Sequence, residues 1–173
     1  MAIPDGIKSI GDCNFWNYKN LNFYEYDNAY YLGNEGNNFI ALVKPKNKFI
    51  TSCTVHQKTK IICSGAFEDC IALTSVTFEG DSKLTTLDSY AFCDCFRLKN
   101  IVIPKSVQKL GYGVFCDCDD LKHIFYEGNK EEWEKVVRTI DWLRSPEGKK
   151  DEVYDDLTAY YSESKPDCEG NFW

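Results

Sequence analysis

A phenylalanine recurs along this chain with the same company each time. Phe67 is followed by Cys70, Leu73, Val76 and Phe78, Phe92 by Cys95, Leu98, Ile101 and Ile103, and Phe115 by Cys118, Leu121, Ile124 and Tyr126. Phe15 opens a looser copy through Tyr18, Leu21, Tyr24 and Tyr26. Upstream of the four anchors stand Ile10, Ile62, Leu87 and Leu110 in one slot, and Ile7, Thr59, Leu84 and Val107 in another. The anchors step by 25 residues from Phe67 to Phe92 and by 23 from Phe92 to Phe115. The first step, Phe15 to Phe67, is 52, one repeat plus an insertion. One such copy has too little apolar surface to fold alone, so the copies must stack and share a continuous core. The spacing therefore predicts a solenoid of four coils.

Within a copy, Leu-x-x-Ile-x-Phe alternates apolar and polar residues and predicts a strand. A second, shorter extended piece covers the upstream pair, as in Val107-Gln108-Lys109-Leu110. A short helical turn lies between them at Gly65-Ala66-Phe67, Tyr90-Ala91-Phe92 and Gly113-Val114-Phe115. Two residues after each anchor stands Asn17, Asp69, Asp94 or Asp117. Asn and Asp tolerate the left-handed conformation that ends such a turn. The same residues in register, one strand spacing apart, also form a carboxylate ladder of a kind that can hold calcium, although the turn role is the simpler expectation.

The phrases Ile3-Pro4-Asp5-Gly6-Ile7-Lys8-Ser9-Ile10-Gly11, Ile103-Pro104-Lys105-Ser106-Val107-Gln108-Lys109-Leu110-Gly111 and Ala66-Phe67-Glu68-Asp69-Cys70-Ile71-Ala72-Leu73 resemble the treponemal-type leucine-rich repeat of BspA-like bacterial surface proteins. The resemblance covers about residues 1–26 and 53–128. It departs from the pattern at Asn14, Tyr18 and His56. It implies a leucine-rich-repeat solenoid, mostly β with short helical turns, and a place at the cell surface or outside the cell. It also implies adhesion to protein or glycan on host or neighbouring cells.

Residues 27–52 break the period. Ala29 to Leu32 and Phe39 to Val43 flank a Gly/Asn turn and predict a β-hairpin insertion, with Phe49 to Ser52 as a third piece. Such an insertion projects to bind something or, more simply, widens the sheet. After Gly128 the pattern changes. Lys130 to about Leu143 predicts a helix with Trp133, Val136, Val137, Ile140 and Leu143 on one side, N-capped by Asn129, and Leu157 to Tyr161 a closing strand. The expected organisation is a solenoid over 1–128 and a C-terminal helix–strand cap over 129–173, because a last coil exposes an apolar face that must be covered.

The chemistry-bearing residues assemble no catalytic set. Nine cysteines are an odd number, and Cys70, Cys95 and Cys118 recur in one buried slot beside the phenylalanines. They read as small apolar core residues, so Phe15, Phe67, Phe92, Phe115, Cys70, Cys95 and Cys118 make the expected core ladder. Reduced thiols are the expectation throughout. Cys93 and Cys116, one coil apart, are the pair that stacking would bring within disulfide reach. Cys53 and His56, with Cys63 and Cys70, have a metal-like spacing, but a buried Cys70 argues against four converging ligands. No catalytic residue, metal or cofactor is expected. A net charge of −7 argues against a nucleic-acid partner. No apolar run is long enough to span a membrane, and the first residues show no signal-peptide pattern. What remains is surface. On the longer strands the outward positions are Phe23, Ser75, Asn100 and His123 in one row and Glu25, Thr77, Val102 and Phe125 in the next. Phe23, Val102 and Phe125 are apolar where the face meets water, unless the hairpin or cap covers them, and exposed apolar clusters mark contacts. The expected function is a non-catalytic binding module, with a ligand-free structural spacer of a larger surface protein as the alternative.

Overall fold

The computed structural model describes residues 3–8, 10, 22–139, 141–143 and 158–161. Phe15 and the rest of its turn, with Cys13 and Cys168, lie outside the described residues. What is described is a mostly β solenoid with one short helix. Its strands are β1 (Tyr24–Tyr26), β2 (Ala29–Leu32), β3 (Ala41–Pro45), β4 (Ser52–Val55), β5 (Ile61–Ile62), β6 (Ser75–Phe78), β7 (Thr86–Leu87), β8 (Asn100–Ile103), β9 (Lys109–Leu110), β10 (His123–Tyr126), β11 (Val137–Arg138) and β12 (Thr158–Tyr161), and its helix is α1 (Lys130–Lys135).

The strands form two walls. The short strands make one sheet in the order β1-β2-β3-β5-β7-β9-β11, parallel from β3 onward. The longer strands make the opposite wall in two pieces, β4-β6 and β12-β10-β8, all parallel. Leu42, Ile62, Leu87 and Leu110 point inward from the first wall and Cys53, Val76, Ile101 and Ile124 from the second, and all are buried in one cluster.

At the corner between the walls the anchors stack. Phe67, Phe92 and Phe115 are fully buried. The Phe67 and Phe92 rings lie 5.1 Å apart and nearly parallel, those of Phe92 and Phe115 5.5 Å apart. Backbone bonds run along the same column. Gly65, Phe67 and Asp69 donate to Ser89, Ala91 and Cys93, and Tyr90, Phe92 and Asp94 to Tyr112, Val114 and Cys116. The recurrent cysteines join this ladder, with Cys95 Sγ donating to the Phe67 carbonyl at 3.2 Å and Cys118 Sγ to the Phe92 carbonyl at 3.0 Å. A residue small enough to pack yet able to donate weakly explains cysteine in this slot.

The corner is tight because each turn bends twice through left-handed backbone. Asp69, Asp94 and Asp117 have φ of 60°, 59° and 52°. Four residues before them, Gly65, Tyr90 and Gly113 have φ of 61°, 59° and 54°. Glycine is the unstrained choice there, and Tyr90 is the exception, its ring lying 5.5 Å from that of Tyr112. Lys48 Nζ holds Asp69 at 2.8 Å. The Asp94 carboxyl titrates above the usual aspartate range, because it is partly desolvated and because Asp117 and Asp69 lie close.

Four sequence expectations differ from the structure. The segment over 27–52 is not wholly an insertion: Ala41-Leu42 pairs with Ile61-Ile62, and Ser52–Val55 with Ser75–Phe78, so β3 and β4 are a solenoid coil in their own right. That coil escapes the pattern because Asn47 stands five residues after Leu42, where Phe67 stands after Ile62. The expected hairpin is present as β2 antiparallel to β3, with Ala29 opposite Pro45 and Leu32 opposite Ala41. β1 adds a second antiparallel turn before it, and the tip of that turn covers the open edge of β4: Asp27 Oδ2 accepts from the Thr54 amide and Asn28 Nδ2 donates to the Ser52 carbonyl. Exposed strand edges invite pairing with other chains, and this turn occupies one. Ile3, Ile7 and Ile10 do not stack as a first coil. They lie in a second cluster with Leu32, Ile40, Ala41, Val43 and Ile61, on the outer side of β3 and β5. Ile3 is tied there through the Gly33 carbonyl and the Asn34 side chain.

The helix is also shorter than the periodicity predicts. Asn129 and Glu132 form a capping box, and Trp133 is buried against Tyr126 at 5.1 Å and Trp142 at 6.0 Å. The helix then ends at Val136, because Val137 and Arg138 pair with Lys109 and Leu110 as β11. Val137 is 64% exposed, so it does not share the buried side of Trp133 and Val136. The β-branched Val136 and Val137 favour extended over helical backbone, and the edge of β9 gives Val137 and Arg138 a strand to pair with. Trp142 stands 6.2 Å from Phe115 and covers the end of the aromatic column. The fourth difference is in the thiols: Cys93 and Cys116 are joined in a disulfide, with Cα atoms 4.6 Å apart. Cys53, Cys63, Cys70, Cys95 and Cys118 are buried free thiols.

Two stability measurements follow. Thr59 is fully buried and its hydroxyl has no partner, in a slot that elsewhere holds Leu84 and Val107. Thr59→Val should raise stability by about 1 kcal/mol, read as a higher denaturant midpoint at unchanged m-value. For Asp94, a folded-state pKa above the unfolded value means that ionisation weakens the fold as pH rises through that value. Asp94→Asn keeps a residue that accepts left-handed backbone. It should melt higher than the parent at pH 7, and the gain should fade as pH drops through about 4 and vanish below about pH 3, where Asp94 is protonated in both states.

Candidate functional site

The register of the longer strands places the candidate residues. In one row Ser52 lies opposite Ser75, and beyond the break between the two sheet pieces Asn100 lies opposite His123. In the next row Thr54 lies opposite Thr77, and Val102 opposite Phe125. Their neighbours Cys53, Val76, Ile101 and Ile124 are buried, so alternation turns both rows outward. Ser75, Thr77 and Asn100 are exposed, whereas Val102, His123 and Phe125 are half-buried. The Thr77 and Thr54 hydroxyls are 3.2 Å apart, and the His123 and Phe125 rings 6.0 Å. β12 continues the face by pairing in parallel with β10, bringing Thr158 opposite His123 and Tyr160 opposite Phe125. The face thus grades from hydroxyls on β4 and β6 to apolar and aromatic residues on β8 and β10.

Phe23 does not share this face. It precedes β1, which runs antiparallel to β2 on the other wall, and its ring lies 5.8 Å from Tyr30 with Lys44 Nζ 4.7 Å from the ring centre. Glu25 is there too, 3.2 Å from Lys46. Ser52 and Thr54 hold the places expected of Phe23 and Glu25. The signal for them was present: stepping back 23 residues from Ser75 and Thr77, the spacing that separates Asn100 from His123, lands on both.

The other groups with chemical potential are built into the core. Burial pushes the Cys53 and Cys70 thiols up to about 12, so both stay protonated near neutrality and are poor ligands and nucleophiles. Cys95 is raised as well, by its hydrogen bond with Cys118 and then by burial. His56 stacks on Phe39 at 4.1 Å, its Nδ1 accepts from the Lys58 amide, and burial lowers its pKa. Among the described residues, the group of acidic, histidine or cysteine atoms close enough to share a metal ion is Cys93, Cys116 and Asp117. Its two sulphurs are bonded to each other, and a disulfide sulphur is not the thiolate a metal requires. Two open clefts line the edge where the long strands turn toward the short ones. They meet at Lys105, and both mix lysines with carboxylates. No described helix is long and apolar enough to cross a membrane.

Comparison with known proteins bears on this wall of stacked strands. No curated protein matches the chain. Among solved structures, a leucine-rich repeat protein of T. pallidum is 23% identical with a TM-score of 0.47, over 54% of this chain and 44% of its own. The pneumococcal vaccine antigen PcpA is 26% identical with a TM-score of 0.49, over 56% of this chain and 24% of its own. A leucine-rich cell surface protein of Faecalibacterium prausnitzii A2-165 is 24% identical with a TM-score of 0.37, over 58% and 33%. This chain thus spans less than half the length of each. A family model described as the BspA type leucine rich repeat region matches residues 46–137 in six copies. Those residues are more than half of the chain and include the Phe67–Phe115 column, β4 to β10 and the start of the cap: the chain belongs to the BspA-type leucine-rich repeat family.

Proposed function

We propose that this chain is a non-catalytic recognition module that binds protein or glycan on host or neighbouring cells, and that it does so at the cell surface. It is a repeat-based interaction module by family. The observation that carries the finer reading is the outward row Thr54, Thr77, Val102 and Phe125, regularly spaced and graded from polar to apolar along the solenoid. A face of this kind offers hydroxyls at one end and desolvatable surface at the other, the combination that protein and sugar ligands both use. Ser75, Asn100 and His123 border it with hydrogen-bonding groups. The Cys53 thiol behind this face and the Cys70 thiol at the corner are buried and held protonated, which makes both poor nucleophiles and favours binding over catalysis.

The test is a binding screen of the purified chain against extracellular-matrix proteins, mucin glycans and intact cells, repeated with Val102→Asp/Phe125→Asp. Both side chains are half-buried and point away from the core, so the variant should keep its circular dichroism spectrum. Affinity for any ligand found should fall about 30-fold or more. Undiminished binding by a folded variant rules this face out. An empty screen with the parent chain favours a ligand-free spacer.

A further inference from the structure

The Cys93–Cys116 disulfide lies in the corner turns, outside the outward rows of the longer strands that carry the recognition reading. Both residues are buried, at 4% and 0% exposure. An Asp94 carboxylate oxygen sits 3.3 Å from the Cys93 sulphur. An Asp117 carboxylate oxygen lies within 4.8 Å of both sulphurs. Asp69 stands one coil further along, close enough to help hold the Asp94 carboxyl above its ordinary range. The backbone ladder fixes the pair independently of the bond, with Asp94 donating to the Cys116 carbonyl at 2.9 Å and Asp69 to that of Cys93 at 3.0 Å.

We propose that Cys93–Cys116 is an oxidation site that staples neighbouring coils, and that Asp94 and Asp117 guard it kinetically against anionic thiols. Closure needs a disulfide oxidant, such as oxidised glutathione or an exchange protein. One cysteine thiolate attacks the oxidant, forming a mixed disulfide and releasing one reduced thiolate. The second cysteine, deprotonated, attacks its partner's sulphur in the mixed disulfide and expels the other thiolate. The two protons leave with the two reduced thiols, and two electrons pass from the cysteines to the oxidant. Stacking brings the two cysteines together before any bond exists, so the second step is intramolecular and strongly favoured.

Reduction runs the same path backwards. An incoming thiolate must approach Cys93 past Asp94, and the departing Cys116 thiolate must form beside Asp117. Both carboxylates raise the energy of a transition state rich in negative charge. Thiols and disulfide are themselves uncharged, so the guard acts on the rate in both directions and leaves their equilibrium nearly unchanged. A chain so equipped fits an oxidising compartment, where a staple once closed stays closed.

The experiment uses the full chain. After incubation with oxidised glutathione, alkylation and peptide mapping should find one cross-linked peptide pair, Cys93 to Cys116, lighter by two hydrogens. Two alkylated cysteines, or stable glutathione adducts at either, would overturn the site. The reduction rate is then measured with glutathione, whose thiolate is multiply anionic, and with 2-mercaptoethanol, whose thiolate carries only its own charge. Asp94→Asn/Asp117→Asn, which keeps residues suited to the left-handed turns, should speed reduction by glutathione about threefold or more relative to 2-mercaptoethanol. Added salt should narrow the same difference in the parent chain, which covers the case of a misfolded variant. Rates for the two reductants that respond identically to both treatments would overturn the guard.

Discussion

One coil of this protein is stable only against the next, and the contact that enforces this is the corner column of Phe67, Phe92 and Phe115. The rings stack at 5.1 and 5.5 Å, and backbone amides at alternate positions bond across the same gap. Burial of an aromatic side chain and satisfaction of a buried amide are separate requirements, and here one geometry meets both. Left-handed backbone at Asp69, Asp94 and Asp117 follows from it, because the chain must leave the column within a few residues to begin the next long strand. The Cys95 and Cys118 thiols answer the same constraint, since each donates to the carbonyl of the phenylalanine one coil back.

A stack of this kind has two raw ends, and unlike devices close them. At one end the β1–β2 turn lays Asp27 and Asn28 against the backbone of β4, while Ile3, Ile7 and Ile10 cover the outer face of β3 and β5. At the other, Trp142 ends the aromatic column and Trp133 packs on Tyr126. The outer face of the short-strand wall shows where cover is needed. It is apolar at Ala41 and Ile61, beneath the N-terminal segment, and polar at Thr86 and Lys109, beyond it.

Much of this was legible in the residues. The phenylalanine spacing dictates the stacking, the Asp slot dictates the turn, and the Asn129–Glu132 pair marks the start of the helix. Three features were hidden for physical reasons. The coil of β3 and β4 has Asn47 in place of a phenylalanine, so the anchor pattern skips it, and its pairing with β5 and β6 reveals it. The end of α1 is set by β9, a strand distant in sequence that claims Val137 and Arg138. The place of Ile3-Pro4-Asp5-Gly6-Ile7 depends on an apolar outer surface made by residues 32–61, which no local repetition records. The candidate face was legible in its later coils, where Asn100, Val102, His123 and Phe125 share a register. It was misplaced at its first, where Phe23 stood for Ser52.

The recognition reading and the corner staple are consequences of stacking, so mutual dependence of neighbouring coils carries the account. Native-state hydrogen exchange on Phe92→Ala tests it most directly. Removing the central ring should cost about 3–5 kcal/mol and lower protection in three coils together, at Phe67, at residue 92 and at Phe115. Lost protection confined to residues 84–103, with the amides around Phe67 and Phe115 as slow as before, would contradict it.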